Sequence, residues 1–269
     1  MAAKCLLAHV IALVLAMTDP RPPLPLLHDD EDLVAVSKPS GEPVIAERGG
    51  PPQACLRRRL ESQIGRRLWV VHRIDRDASG LVVFAGNADA HRALSLAFER
   101  RQVVKTYVAL AGGEPEKEHG TIQVALHAAR RGKSRPARPG EPGRREATTE
   151  YAVHKSWRRE DAVVSLLEVH PRTGRRHQIR VHLRSLGAPL LFDPLYGRGL
   201  LPPGLDGAPC RRLALHALRL ELPAPRGDGR LALEAPAAED LEQLQGWLDD
   251  EWAPHEAAAG ALTSRLPTP

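Results

Sequence analysis

The sequence predicts one α+β domain built on a large mixed, mostly antiparallel sheet flanked by helices and loops. Three observations predict it. Strand-length apolar runs alternate with a few helical stretches, and the runs at 151–157 and 163–169 alternate in polarity like paired strands. Neither an internal repeat nor a linker divides the 269 residues into two cores. A hydrophobic content of 42% is enough for one sizeable core.

Taken in order, a Pro-rich lead (20–25) reaches a strand at 33–36, which the turn cluster Lys38-Pro39-Ser40-Gly41 ends. Residues 53–64 read as a helix with Arg57, Arg58 and Arg59 exposed, and 69–71 as a second strand. A polar segment, 72–80, separates that strand from a third at 81–85. Residues 88–100 have helical spacing, with Leu94, Leu96 and Phe98 among the apolar positions. The strand at 103–110 puts Lys105, Tyr107 and Ala109 on one face and Val104, Thr106 and Val108 on the other. Residues 127–149 are rich in Arg, Pro and Gly and read as a long basic loop or hairpin, suited to clamping phosphates. Ile179, Leu183 and Leu186 have the spacing of a buried helix face, which Gly187 and Pro189 stop. A strand at 213–222 and an amphipathic helix at 239–252, with Leu241, Leu244 and Leu248 inward, complete the set. The expected organisation is an N-terminal extension (1–27), a domain at 28–253 and a frayed tail from Pro254.

The charge balance leans toward a polyanionic partner. The net charge is +5, the pI about 9.4, and only six of the 38 basic residues are Lys; Arg forks suit phosphates and base edges better than ammonium groups do. The three cysteines, Cys5, Cys55 and Cys210, are widely spaced and form no CxxC pattern, which argues against a disulfide framework or structural zinc and for a reducing cytoplasm. No histidine spacing suggests a metal site. The apolar run 6–17 is too short to span a bilayer, and no small-residue cleavage site follows it. Residues 1–16 are therefore expected to be an over-extended start or a frayed tail, and no membrane partner is expected.

Two segments carry chemistry. The first, His72-Arg73-Ile74-Asp75-Arg76-Asp77-Ala78-Ser79-Gly80, sets two carboxylates, two guanidiniums and an imidazole between hydrophobic strands. Buried charge is costly without partners, so a polar turn in this position suits a site wall. The second is 170–183, where Gly174 suits a tight turn and a helix start carries Gln178 and Arg180 beside free backbone N–H groups, a favourable place for an anion. Within the first, Asp75-Arg76-Asp77-Ala78-Ser79 also matches the DxDx(T/S) turn of haloacid-dehalogenase-like phosphatases. That chemistry needs Mg²⁺ and further acidic ligands in a parallel sheet. Asp193 is the only obvious downstream candidate, and a strand follows the motif where a helix should.

Together, His72-Arg73-Ile74-Asp75 with Ser79-Gly80, Lys105-Thr106-Tyr107-Val108-Ala109, the run 173–183 and Asp193-Pro194-Leu195-Tyr196-Gly197 resemble the RluA-type pseudouridine synthase family. Lesser echoes lie at 32–41 and at Leu215-His216-Ala217, so the resemblance covers roughly 28–222 in the right order. It implies the pseudouridine-synthase-like sheet and an isomerase that converts uridine in rRNA (23S-type) or tRNA to pseudouridine without metal or organic cofactor. A monomer is the default expectation, and the sequence itself leaves the oligomeric state open. The resemblance implies that Asp75 attacks or otherwise assists the flipped uridine, that Tyr107 stacks on the base, and that Arg180 pairs with the catalytic carboxylate. An opposite charge beside a carboxylate favours its ionised form, which a nucleophile or base requires. The expected RNA contacts are His72, Arg73, Lys105, Arg175, His177 and Gln178, with Arg130, Arg131 and Lys133 of the basic loop. The chain departs from the family pattern at Ala78 (usually Thr), Arg176 (usually Thr) and Phe192 (usually Gly). A catalytically silent RNA-binding protein of the same fold is the competing reading, and retention of Asp75, Tyr107 and Arg180 together argues against it.

Overall fold

The computed structural model describes residues 21–47, 49–51 and 53–255, apart from the side chain of Arg131. The expectations for residues 1–16 and for 256–269 lie outside that range. In chain order the elements are β1 (Leu26–Asp29), β2 (Leu33–Lys38), α1 (Leu56–Ile64), β3 (Trp69–Val70), β4 (Ser79–Ala85), α2 (Ala88–Glu99), β5 (Val104–Gly112), β6 (His119–Gln123), β7 (Leu126–Ala128), β8 (Ser134–Pro136), β9 (Thr148–Arg159), β10 (Ala162–Pro171), α3 (Gln178–Ser185), β11 (Leu215–Pro223), β12 (Arg230–Glu234), α4 (Glu239–Glu251) and β13 (Ala253–His255).

Eleven strands form one sheet in the order β1-β2-β4-β11-β5-β10-β9-β13, with β12 on β11, β3 on β4 and β6 on β9; β7 and β8 make a separate hairpin. Every pairing in the sheet is antiparallel except β4 with β11, where Ser79 faces His216 and Gly80 faces Ala217. The period of two in the strands distributes three cores. Val82 and Phe84 of β4 enter a core with Leu56 and Leu60 of α1 and Ile179 and Leu183 of α3. Leu81 and Val83 enter a second, under Leu94 of α2. Val164 and Leu166 of β10 meet Leu241, Leu244 and Leu248 of α4 in a third. Every residue of β4 is buried, because helices cover both of its faces.

The parallel pair is a close backbone approach. Gly80 has φ +108°, and a Cβ there would lie 2.2 Å from the Ala217 carbonyl oxygen, so only glycine lets β11 run alongside β4 immediately after the 72–78 turn.

Several expectations are corrected. Helix α1 starts at Leu56 rather than residue 53. Arg59 is not exposed: its side chain is 9% accessible, and Nη1 donates to Glu42 Oε2 at 2.7 Å. Leu96 faces solvent, at 40% exposure, because the inward stripe of α2 runs through Ala90, Leu94 and Ala97. The folded domain begins before residue 28, since Leu24 is buried and β1 pairs with β2 from Leu26 onward. It also extends past Pro254, which pairs with Trp157 while His255 pairs with Ser156.

Candidate active site

The turn bearing Asp75 is anchored by apolar residues at both ends. Ile74 and Ala78 are buried in the core beneath it, and Ala78 N–H donates to the Asp75 carbonyl at 3.3 Å. Its backbone is clamped from β2. The buried Lys38 ammonium donates to the carbonyls of Pro39 (2.8 Å), Glu42 (2.8 Å) and Arg76 (2.9 Å), which satisfies all three of its protons. Burial pushes that ammonium down to about 7. Gly41 N–H also donates to the Arg76 carbonyl (2.9 Å), and Ser40 Oγ to that of Asp77 (2.5 Å). From the other side Arg212 Nη1 donates to Ser79 Oγ (2.9 Å) while its remaining N–H groups grip Asp240 of α4 at 2.7 and 2.6 Å.

Arg180, one turn into α3, reaches this loop from beneath. Its side chain is 1% exposed, and its main partner is not Asp75 but Asp193: Nε donates to Oδ2 at 2.8 Å and Nη2 to Oδ1 at 2.7 Å. Only Nη1 turns to Asp75, at 3.3 Å, with Asp77 farther off at 3.9 Å. The expected pairing with Asp75 is present as the outer arm of a fork whose inner arm is Asp193. Burial alone would raise the Asp193 carboxyl, but the Arg180 N–H groups and the amides of Tyr196 and Leu195 outweigh it and hold it below the usual range. The Arg180 guanidinium also lies 5.2 Å from the centre of the Tyr196 ring. The sequence places Asp193 in the Asp193-Pro194-Leu195-Tyr196-Gly197 motif and suggests no role for it beyond that of a candidate metal ligand. The signal that identifies it is the guanidinium itself, whose five donors cannot be buried against one part-exposed carboxylate.

Asp75 is 21% exposed, so its carboxylate is partly accessible to solvent. Tyr107, on β5 and half-buried, adjoins it. Burial, reinforced by the Asp75 negative charge, pushes its phenol up, so the hydroxyl stays protonated. The same strand face brings Lys105, whose Nζ donates to the Thr173 carbonyl at 3.3 Å; burial and the Arg101 charge push its ammonium down to about 8. Arg73 is exposed at the turn, Arg175 Nε donates to the Glu146 carbonyl at 3.1 Å, and Arg130 is exposed on the tight turn joining β7 to β8. Not all of the 127–149 basicity is available: Arg135 is paired with Glu141 and Arg144 with Glu146.

Three expected RNA contacts, His72, His177 and Gln178, make hydrogen bonds inside the protein. His72 stacks on Phe98 at 4.7 Å, and its Nε2 accepts the Val83 N–H at 3.0 Å; burial pushes the imidazole down to about 3, leaving it neutral. His177 is buried with Nδ1 2.8 Å from the Tyr196 hydroxyl. Gln178 is buried and fully engaged: its oxygen accepts from Thr173 Oγ1 and Arg175 N–H, and its amide donates to the Thr148 carbonyl and Thr149 Oγ1. It braces the 173–177 loop and leaves nothing to offer a ligand. The departure at Phe192 also has a physical face: its φ is +54°, a left-handed conformation that glycine adopts without strain. The phosphatase reading fails on geometry, because Asp193 is consumed by Arg180 and the sheet around Asp75 is mostly antiparallel.

The site thus holds a part-exposed carboxylate at a polar turn, bonded to a buried guanidinium and beside a protonated phenol, at the junction of a mixed sheet. The RNA pseudouridylate synthase family matches residues 32–185, and the chain belongs to that family. It is 35% identical over 231 residues to the ribosomal large subunit pseudouridine synthase D of Nitrosomonas europaea, covering 82% of this chain and 64% of that protein. It is 33% identical over 240 residues to the tRNA pseudouridine synthase C of Yersinia pestis, covering 83% of this chain and 91% of that one. Among solved structures, human RNA pseudouridylate synthase domain containing 4 superposes with a TM-score of 0.66 at 27% identity, covering 90% of this chain and 98% of that one. Among the described residues no helix is long and apolar enough to cross a membrane.

Proposed function

We propose that this chain isomerises uridine to pseudouridine in structured RNA, with rRNA and tRNA as the substrate classes. The observation that carries the reading is the Asp75–Arg180–Asp193 arrangement beside Tyr107. The C1′–N1 bond of the flipped nucleotide breaks, uracil turns, and a C1′–C5 bond forms. C5 gives up its proton and N1 gains one, so no outside atom is consumed. Asp75 acts directly on the nucleotide, as nucleophile or base, from a partly exposed carboxylate. Arg180 fixes that carboxylate and is itself fixed by Asp193. Tyr107 supplies a stacking face for the extruded base and a phenol near the site of C5 deprotonation. Arg73, Lys105, Arg175, Arg130 and Lys133 supply the charge that holds the phosphates. Arg131 is assigned to the same group from the sequence.

A binding-only protein of this fold would have no need of a carboxylate facing a polyanion, which repels phosphate. The test is incubation of the purified chain with unmodified large-subunit rRNA and tRNA transcripts, followed by mapping of pseudouridine. The expected result is new pseudouridine at discrete uridines with wild type, with or without EDTA, and none with Asp75→Ala. Unchanged product with Asp75→Ala would overturn the catalytic role, and RNA binding without product from wild type would favour the binding-only reading.

A further inference from the structure

The hairpin β7–β8 sits outside the main sheet, yet several contacts tie it to the turn that holds Arg180. Ser134 N–H, a buried group of β8, donates to the Tyr196 hydroxyl at 2.7 Å. Lys133 Nζ donates to the Leu195 carbonyl at 3.3 Å. Leu126 packs with Ala147, Val181 and Tyr196 in a small core of its own. The Arg176 guanidinium lies against Gly132, where a Cβ would come within 2.7 Å of Nη2. Tyr196 in turn carries its ring against Arg180, and its own N–H donates to Asp193. Ser134 N–H occupies one lone pair of the hydroxyl oxygen, and Nδ1 of His177 lies 2.8 Å away, placed to accept the Tyr196 O–H when Nε2 carries the ring proton; burial lowers that imidazole's affinity for a second proton.

We propose that Tyr196 is a positioning residue that seats the basic hairpin on the Arg180–Asp193 pair, holding Arg130 and Lys133 in register with Asp75 so that RNA phosphates and the target uridine are engaged together. It touches neither substrate nor reacting atom; it acts through the hairpin on one side and Arg180 on the other. The site is the one read above as that of a pseudouridine synthase, and the proposal deepens that reading by naming what couples RNA grip to the catalytic pair.

The test is Tyr196→Phe, which keeps the ring and removes only the hydroxyl, compared with Arg130→Ala and with the double variant. Binding is measured on unmodified rRNA and tRNA transcripts across a salt series, alongside KM and kcat. Tyr196→Phe is expected to weaken RNA binding about fivefold, as loss of a buried hydrogen-bonded seat implies, with KM bearing more of the loss than kcat. The slope of log affinity against log salt should fall by about one, because an unseated Arg130 no longer neutralises its phosphate. The double variant should bind no worse than the more affected single one. Trypsin should cut within 130–138 faster in Tyr196→Phe than in wild type, in the absence of RNA. Multiplying effects in the double variant, an unchanged salt slope, or an unchanged tryptic rate would overturn the seating. If wild type makes no pseudouridine the functional reading fails, while the salt slope and tryptic rate still decide the seating.

Discussion

Replacing Asp193 by asparagine would strip the buried Arg180 guanidinium of its bidentate carboxylate while leaving Asp75 in place. Arg180 is 1% exposed, and its bonds to Asp193 are 2.8 and 2.7 Å against 3.3 Å to Asp75. Removing one partner of a buried ion pair costs roughly 3–5 kcal/mol, because the remaining charge cannot be rehydrated. That is a large fraction of the ~5–15 kcal/mol that stabilises a typical domain. Asp75→Asn removes the weaker arm at a part-exposed carboxylate, so its stability cost should be no more than about 1 kcal/mol. Its activity, in contrast, should fall by a factor on the order of 10³ or more, the scale for removing a group that reacts directly. Urea unfolding followed by tryptophan fluorescence, with pseudouridine formation measured at a urea-free, low temperature, separates the two. If Asp193→Asn unfolds like wild type while Asp75→Asn is the unstable variant, the division of labour around Arg180 is wrong.

Stability should fall as pH drops below about 6.5, the ordinary histidine value. Burial pushes His72 down to about 3 and His216 to about 4, so between those values and 6.5 the unfolded chain binds protons that the folded one does not. Each contributes up to ~1.4 kcal/mol per pH unit in that window, and unfolding midpoints at pH 7, 6 and 5 would show the decline; a flat profile contradicts it. Gly80→Ala should cost at least about 2–3 kcal/mol, since the added carbon lies 2.2 Å from the Ala217 oxygen at φ +108°. A Gly80→Ala protein with wild-type thermal stability would mean that β4 and β11 are not in this register.

The sheet elements were legible because alternation and helical spacing are local properties. The stripe Leu241, Leu244, Leu248 marks α4, and the Lys105–Tyr107–Ala109 face of β5 lies as its alternation requires. The pairing of β11 between β4 and β5 was not legible, since strand order is decided by contacts far apart in sequence. At the site, motifs point to Asp75, Tyr107 and Arg180, which the fold brings together, yet motifs do not distinguish a residue that touches substrate from one that braces its neighbour. His72, His177 and Gln178 stand within the most distinctive runs and hydrogen-bond inside the protein, His177 and Gln178 from buried positions. Asp193, Lys38 and Tyr196 escaped because their importance depends on distance and burial. Lys38 in a turn cluster reads as a solvated cation until three carbonyls are seen around its ammonium.

The central claim is that Asp75 performs the chemistry on a uridine in RNA. Pseudouridine mapping in total RNA from cells lacking this gene, carrying either the wild-type copy or Asp75→Asn, tests it most directly. The account predicts at least one rRNA or tRNA uridine that is modified with the wild-type copy and left unmodified with Asp75→Asn, at equal protein levels. Restoration of every such site by Asp75→Asn would contradict it.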